Sequence, residues 1–162
     1  MRARRIECKG AEIMKRQAWK RMQAWLLVVA MLVSVVTGIG TTKTAKAATK
    51  MGVTYTVHVQ TYGDQQGWVH DGTMAGTKGQ AKRLEEIRVK LTGDEYSGSI
   101  QYKTHIQSYG WQDWSYNGEK SGSRGQAKRL EGIEIQLTGE VAKHYDVVYR
   151  VHCQTYGWMD WV

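Results

Sequence analysis

Three histidines recur at one spacing, and their chemistry is the first question that the sequence raises. His58, His105 and His152 are 47 residues apart, each within a variant of one heptapeptide: VHVQTYG, THIQSYG or VHCQTYG. Three imidazoles that converge could bind zinc. However, no carboxylate recurs close to them in the sequence as the orienting partner of a metal-bound histidine. We therefore expect these histidines to reflect duplication, and we expect no metal or other cofactor.

A second repeated group pairs a base with an acid: Arg83 with Glu85, and Arg129 with Glu131. Hydrolysis of a glycoside needs two carboxylates at a defined separation, which this pattern does not offer. We expect each arginine to pair with its glutamate across a strand or to cap a turn. The sequence also contains no serine, cysteine or phosphate-loop motif, so it predicts a protein that is not an enzyme.

All these residues belong to a repeat of about 47 residues. The segment QAKRLE begins at Gln80 and again at Gln126, which are 46 residues apart, so the first copy has one additional residue before this segment. The copies span residues 52–97, 98–144 and 145–162. No third GQAKRLE segment follows the last copy, so we expect the third repeat to be truncated and to leave an unpaired strand edge that favours self-association.

The hydrophobic pattern within each copy predicts two strands. Apolar and polar residues alternate from Val53 to Gln60, as in a half-buried strand, and a second alternation follows in RLEEIRVKL and RLEGIEIQL. Glycine-rich segments such as DGTMAGTKG suit the turns between them, and no helix signal follows Ala48. The sequence therefore predicts an all-β array of repeats. We prefer a β-trefoil-like closed or partly closed arrangement, with a short propeller or a sandwich as alternatives.

Residues 1–47 have the composition of a secretory signal peptide. A basic segment is followed by an apolar run from Trp25 to Ile39 and by the small residues Ala45 and Ala47. The apolar run is shorter than a membrane-spanning helix requires, which makes an uncleaved anchor the second choice. The true start could be Met14 or Met22. We expect a signal helix here and a secreted or cell-surface domain over residues 48–162.

All of the formal net charge lies in this leader. Ten of the 23 lysines and arginines precede Ala48, and the remaining 13 are balanced by 13 acidic residues. A protein that follows nucleic-acid phosphates needs a basic face, whereas the charges of the mature chain are interspersed. The sequence therefore argues against a nucleic-acid partner.

Cysteine usage agrees with export. Cys8 would leave with the leader, and Cys153 then stands where the other copies have Val59 and Ile106. Because cysteine packs as a small hydrophobe, we predict that Cys153 is buried. A disulfide between molecules is the alternative for an odd exported cysteine.

Several spaced elements together resemble a known family. The chain has GWQDW at 110–114, GWMDW at 157–161, AGTKG at 75–79 and two R-L-E-x-I-x-I/V-x-L segments. This order resembles the clostridial hydrophobic repeat with conserved tryptophan, the ChW repeat, over nearly all of residues 52–162. The resemblance implies an exported or surface protein that serves binding, adhesion or extracellular assembly. The first copy departs from the pattern because it has only Trp68.

Comparison between the copies divides the tryptophans into a set with a structural role and a set of candidate ligand-binding residues. Trp68, Trp114 and Trp161 recur in all three copies, which suggests a structural role. If residues 111–114 are extended, Trp111 and Trp114 point to opposite faces, and we expect Trp114 in the core. Burial of both rings is the alternative. The candidate ligand-binding residues are Trp111, Trp158, Tyr109, Tyr156, His105, Gln107, His152 and Gln154.

Two functions from different classes follow from these residues. The first is recognition of polysaccharide or cell-wall glycan, with sugars stacked on exposed aromatic rings and hydrogen-bonded to histidine and glutamine. The second is protein adhesion or extracellular assembly, in which the same aromatic residues anchor an interface. A hydrolase would need a catalytic domain that these residues do not provide.

Overall fold

The computed structural model of the chain describes residues 8–17 and 47–162. The described residues form twelve strands and one helical turn. In chain order these are β1 (Cys8–Gln17), β2 (Gly52–Val59), β3 (Val69–His70), β4 (Ala75–Gly76), β5 (Leu84–Thr92), β6 (Ser99–Ile106), β7 (Gly110–Trp111), β8 (Ser115–Tyr116), β9 (Ser121–Gly122), β10 (Leu130–Thr138), α1 (Val141–His144), β11 (Tyr145–Cys153) and β12 (Gly157–Trp158). The apolar run and Ala45 of the expected leader lie outside the described residues.

The two long strands of each repeat form as the alternation of apolar residues predicts. In β2 the side chains of Val53, Tyr55 and Val57 are buried, and β5 pairs with β2 in antiparallel register. Strand β10 pairs with β6 in the same way in the second copy. The all-β prediction is thereby confirmed. The expectation of no helix after Ala48 is wrong by a single turn, α1, in which Val141 is buried.

Three four-stranded sheets are built from these strands. One combines strands of the first and second repeats, one lies within the second repeat, and one combines strands from both ends of the described chain with β4 of the first repeat. The first has the order β3-β2-β5-β9, and the third has the order β12-β11-β1-β4; in the second, β6 lies between β10 and β7 and also pairs with β8. Strand β9 belongs to the second copy but completes the sheet of the first. Strand β4 belongs to the first copy but pairs with β1 in the sheet of the third. The short strand of one repeat therefore pairs within the sheet of another repeat.

A glycine permits the pairing of β9 with β5. Gly122 has a φ of 143°, and a Cβ placed on it would lie 2.3 Å from the carbonyl oxygen of Glu85. Only glycine combines that backbone conformation with so close an approach. The S-G pair of β9 is therefore a requirement of the contact between the first and second copies.

Strand β1 was not expected, because it lies in the predicted leader. It pairs antiparallel with β11 from Cys8 opposite Cys153 to Gln17 opposite Tyr145. Since β12 pairs with the same strand at its end, β11 is not the unpaired edge that we expected. The sequence pattern concealed β1 because its short alternation around Ala11 and Ile13 is embedded in basic residues that match a leader.

One hydrophobic core joins the repeats. It contains buried side chains from β2, β5, β6 and β10, and the apolar residues of β11 pack against it. Strand β5 contacts β6, and β10 contacts β11, so that successive hairpins are neighbours. Cys153 is buried, as predicted. Among the described residues, no helix is long and apolar enough to cross a membrane.

Two tyrosines occupy equivalent core positions. Tyr55 donates its hydroxyl to the carbonyl oxygen of Thr73, and Tyr102 donates to that of Glu119. Both side chains are fully buried. Burial raises the pKa of Tyr102 to about 12 because a phenolate would lose its solvation there.

The raised pKa of Tyr102 predicts a loss of stability in alkali. The folded state holds this proton more tightly than the unfolded state, so the contribution is complete below about pH 10 and is lost as the pH rises towards 12. Tyr102→Phe should cost about 1 kcal/mol at neutral pH through the lost hydrogen bond, and should flatten the decline above pH 10. Urea unfolding of both proteins at pH 8 and pH 11 measures this. The same decline in both would contradict it.

The pairing of β1 with β11 predicts a cross-link. Register partners in an antiparallel pair have Cα atoms about 4.5–5.5 Å apart, which is within the range that a disulfide spans. Mild oxidation of the full chain should therefore join Cys8 to Cys153. Peptide mapping without reductant detects the bond, and Cys8→Ser serves as the control. Recovery of the two cysteines in separate peptides after oxidation would show that β1 does not occupy this position.

Candidate functional site

The turn after the first long strand has the same unusual backbone in every copy. Thr61, Ser108 and Thr155 have φ values of 73°, 68° and 75°. Residues other than glycine rarely adopt this region, and β-branched threonine does so least readily. Such strain costs about 1–3 kcal/mol per residue and tends to cluster at functional sites. Its presence in three copies therefore directs attention to this turn.

In the first copy an exposed tyrosine and a lysine meet at this turn. The Lys82 Nζ lies 5.5 Å from the centre of the Tyr62 ring and 3.2 Å from the Thr61 Oγ1. Lys82 belongs to the GQAKRLE segment, in which Ala81 also has a positive φ of 50°. A cation over an exposed ring contributes about 0.5–1 kcal/mol. The two most similar segments of the repeats, QTYG and GQAKRLE, are thus brought together at the surface.

The second copy repeats this arrangement. The Lys128 Nζ lies 5.8 Å from the centre of the Tyr109 ring and 3.4 Å from the Ser108 Oγ. The Tyr109 hydroxyl also donates a hydrogen bond of 2.9 Å to the Gln126 Oε1. We call these two sites the tyrosine–lysine clusters. They consist of Thr61, Tyr62 and Lys82 in the first copy and of Ser108, Tyr109, Gln126 and Lys128 in the second.

Exposure of the tyrosine increases along the three copies, from 36% for Tyr62 to 53% for Tyr109 and 78% for Tyr156. Tyr62 also borders a groove of about 630 Å³, lined in addition by Gln65, Gln66 and Lys78. Ligand sites commonly have volumes of roughly 300–1,000 Å³. The first cluster therefore has both an accessible ring and a concave surface beside it.

The tryptophans flank cations at the surface. The Lys103 Nζ lies 5.2 Å from the centre of the Trp111 ring and 4.8 Å from that of Trp114. In the third copy the Arg150 Cζ lies 4.5 Å from Trp158 and 4.7 Å from Trp161. In the second and third copies, one cation therefore lies close to both tryptophan rings of the copy.

The extended segment that would place Trp111 and Trp114 on opposite faces does not form. Strand β7 ends at Trp111, so the alternation of an extended strand does not continue to Trp114. Trp114 is half-buried, whereas Trp68 and Trp161 of the same predicted structural set are exposed. In the first copy Trp68 lies under the Lys90 Nζ at 4.3 Å. The shared tryptophans thus pack with cations at the surface of the domain.

Histidine in the second copy belongs to a buried ionic network. His105 is 7% exposed, and its Nδ1 lies 3.2 Å from the Glu131 Oε2. The other carboxylate oxygen is 3.2 Å from the Arg129 Nη2. Two expectations are therefore corrected: the His105 imidazole is buried and does not form part of an exposed polar row, and a carboxylate does recur beside the repeated histidine. The expected pairing of arginine with glutamate is confirmed.

The first copy contains a looser form of this network, in which the Nδ1 of His58 pairs instead with the Asp64 Oδ1 at 3.0 Å. The Arg83 Nε donates to the Glu85 Oε1 at 2.8 Å, and the Glu85 Oε2 lies 4.0 Å from the His58 Nε2. Histidine and glutamate are 27 residues apart in this copy and 26 in the second. Sequence reasoning missed the carboxylate because it considered only nearby residues, although the repeated R-L-E triplet was the available signal.

The remaining predicted site residues have different surroundings. Gln107 is half-buried, Gln154 is exposed, and His152 is half-buried. The rings of Trp111 and Trp158 pack edge-on against His105 and His152, with centroids 5.5 Å and 5.3 Å apart. Histidine thus supports tryptophan rather than extending a polar row. Within residues 47–162, no group of three or more histidine, cysteine, aspartate or glutamate side chains is arranged to hold a metal.

Comparison with known proteins identifies the repeat. A family model described as Clostridial hydrophobic W, or ChW, matches residues 58–93 and 105–139. No curated protein and no solved structure matches the chain. Each matched range includes one tyrosine–lysine cluster and one histidine–glutamate–arginine network. Residues 58–93 and 105–139 are therefore two ChW repeats.

Proposed function

We propose that the chain is a secreted or cell-surface module, without catalytic activity, that binds polysaccharide or cell-wall glycan. The observation that carries the proposal is the recurrence of an exposed tyrosine, a lysine and a hydroxyl in the same geometry in two successive repeats. A polymer of repeated sugars presents the same chemical group at intervals. Repeated sites on one chain suit such a ligand because each further contact becomes intramolecular.

Each group in a tyrosine–lysine cluster has a role in this proposal. The tyrosine ring offers an apolar face on which a sugar ring stacks, while its hydroxyl remains in a polar environment. Lysine and glutamine donate hydrogen bonds to sugar hydroxyls. The strained turn fixes these groups before the ligand arrives, which reduces the entropy lost on binding.

The paired tryptophans provide a second type of platform. Trp111 is 38% exposed, and Lys103 together with the edge contact from His105 restricts its ring. Trp158 has the same two supports in Arg150 and His152. A ring that is held but accessible is suited to stacking, so Trp111 and Trp158 remain ligand platforms in this proposal, beside Tyr109 and Tyr156.

Protein adhesion or extracellular assembly is the second candidate. Tyrosine and tryptophan beside cations are also the residues that dominate binding energy at protein interfaces. The pairing of β11 with a strand from outside the repeats favours this candidate, because strand addition is a common mode of association. Self-association through the third repeat falls within this class, and neither candidate involves nucleic acid.

For the overall arrangement we propose a β-trefoil-like closure of the three repeats. Contacts of β5 with β6, of β10 with β11 and of β1 with β2 support it, since they link the long hairpins in a cycle. The shared core and the exchange of β4 and β9 between sheets point the same way. Closure would present the equivalent turns in a symmetric array.

The tyrosine–lysine clusters predict a loss of glycan binding when their rings are removed. Tyr62→Ala with Tyr109→Ala should weaken binding about tenfold or more, since truncated anchor residues cost more than 1 kcal/mol each. Titration of soluble peptidoglycan fragments, chitin oligosaccharides and cello-oligosaccharides against tryptophan fluorescence gives the affinity. Tyr116→Ala is the matched control, because Tyr116 is also exposed but lies outside the clusters. A wild-type chain that responds to none of these glycans would favour the assembly function.

The tryptophan platforms predict a separation between binding and stability. Trp111→Ala with Trp158→Ala should weaken glycan binding about tenfold while shifting the melting midpoint by only about 4 °C or less, because neither ring is in the core. Trp68→Ala is the control, since Trp68 has similar exposure, 40%, and also lies under a lysine. Unfolding of the double variant, or an equal loss in the control, would show that these rings serve packing alone.

A further inference from the structure

The lysines of the tyrosine–lysine clusters carry a charge that no acidic side chain of the described residues balances. Several other cations of the repeats pair with a carboxylate, namely Arg83, Arg88, Lys103, Arg124 and Arg129. The Nζ atoms of Lys82 and Lys128 instead contact a hydroxyl and face a tyrosine ring. Because neither group is an anion, each cluster presents an uncompensated positive charge beside an exposed ring.

A further lysine adds to this charge at the first cluster. Lys78 is exposed and lines the groove that Tyr62 borders, and no aspartate or glutamate of the described residues lines that groove. Arg124 holds the equivalent position in the second copy, where it pairs with Asp64 and Glu86 of the first copy. Among the described residues, Lys78 has no such partner. Two uncompensated cations therefore flank the ring of Tyr62.

The neutral polar residues at the clusters are suited to the remainder of a sugar. Gln65 and Gln80 are exposed and line the groove, and Gln126 accepts a hydrogen bond from the Tyr109 hydroxyl in the second copy. An amide side chain both donates and accepts hydrogen bonds, as a sugar hydroxyl does. The clusters thus combine a ring for stacking, amides for hydroxyls and a cation for an anion.

The number of these lysines decides whether their charge matters for binding. One exposed ion pair contributes little, because water and salt screen it. Lys78, Lys82 and Lys128 act together when a single polymer carries several anions, since each contact after the first becomes intramolecular. A neutral glycan would leave all three charges without a counter-charge.

We propose, on the basis of the glycan-binding function proposed above, that the ligand of the tyrosine–lysine clusters is an acidic polysaccharide. Its carboxylate or phosphate groups bind to Lys78, Lys82 and Lys128, and its sugar rings stack on Tyr62 and Tyr109. A sugar that carries an acidic group unites an apolar face and an anion in one residue, which matches a ring and an Nζ that lie 5.5 Å apart in one cluster and 5.8 Å apart in the other. Nucleic acid is a less suitable polyanion because the charges of the repeats are interspersed and form no continuous basic run.

Two oligosaccharides that differ only in charge test the proposal. One is a fluorescein-labelled oligogalacturonate, and the other is the same molecule with its carboxylates methyl-esterified. Fluorescence anisotropy with the full chain should show about tenfold tighter binding of the acid form. The difference should shrink as sodium chloride is added, because salt screens exposed charges. A labelled poly(glycerol phosphate) replaces the carboxylates by phosphates, and the tighter of the two acidic ligands identifies the anion.

Two triple variants separate the clusters from the general charge of the chain. Lys78→Gln with Lys82→Gln and Lys128→Gln should weaken binding of the acid form about tenfold more than binding of the ester, because glutamine keeps a hydrogen-bond donor but removes the charge. The matched control has Lys50→Gln with Lys90→Gln and Lys120→Gln, and it should retain the affinity of the wild-type chain. Both variants keep the ten basic residues before Ala48, so any attraction by that segment is common to them.

The outcomes distinguish this proposal from the glycan-binding function on which it rests. Equal binding of acid and ester, or equal losses in the two variants, would overturn the acidic ligand and leave glycan binding in place. So would binding of chitin or cello-oligosaccharides by a chain that binds neither acidic polymer. A chain that binds none of these glycans would overturn both proposals. If an oligothymidylate loses as much affinity as oligogalacturonate in the cluster variant, the lysines respond to any polyanion, and the assignment to a polysaccharide is wrong.

Discussion

The carboxylate of Glu85 is the group around which the repeats are organised. A buried charge is tolerated only if it is paired and hydrogen-bonded, and Glu85 meets this condition with Arg83, which directly precedes its strand, and with a backbone amide of the next repeat. The arginine carbonyl in turn accepts a hydrogen bond from Gln60, directly before the strained turn. One acidic side chain therefore connects a hairpin, the junction between two copies and the segment that presents the exposed tyrosine.

A second organising feature is the use of cations to cover aromatic rings. Beyond the expected leader the charges are balanced, and several of the lysines and arginines lie over exposed tyrosine and tryptophan. The aliphatic part of such a side chain covers apolar surface while its charged end remains hydrated. This arrangement lets the domain keep several large aromatic residues at its surface in defined orientations, which a binding surface requires.

The sequence predicted the features that depend on local patterns and missed those that depend on irregular backbone. The alternation from Val53 to Gln60 identified β2 because burial repeats every second residue. Histidine and its carboxylate were not connected because the contact crosses a bulge and about 27 residues of chain. The contact of Lys103 with both Trp111 and Trp114 was missed because β7 ends at Trp111. Strand β1 was missed because its composition matches an export signal and its partner is supplied from the other end of the chain.

The exchange of short strands has a consequence for how such proteins gain and lose repeats. The segment that recurs in the sequence, residues 52–97, contains β4, which pairs in a sheet with strands from both ends of the described chain. The sheet that contains β2 is completed only by β9 in the following segment. The unit that duplicates in the gene is therefore not the unit that folds. A copy excised at the boundaries of the sequence repeat would carry a strand with no ladder to join and would lack one that it needs.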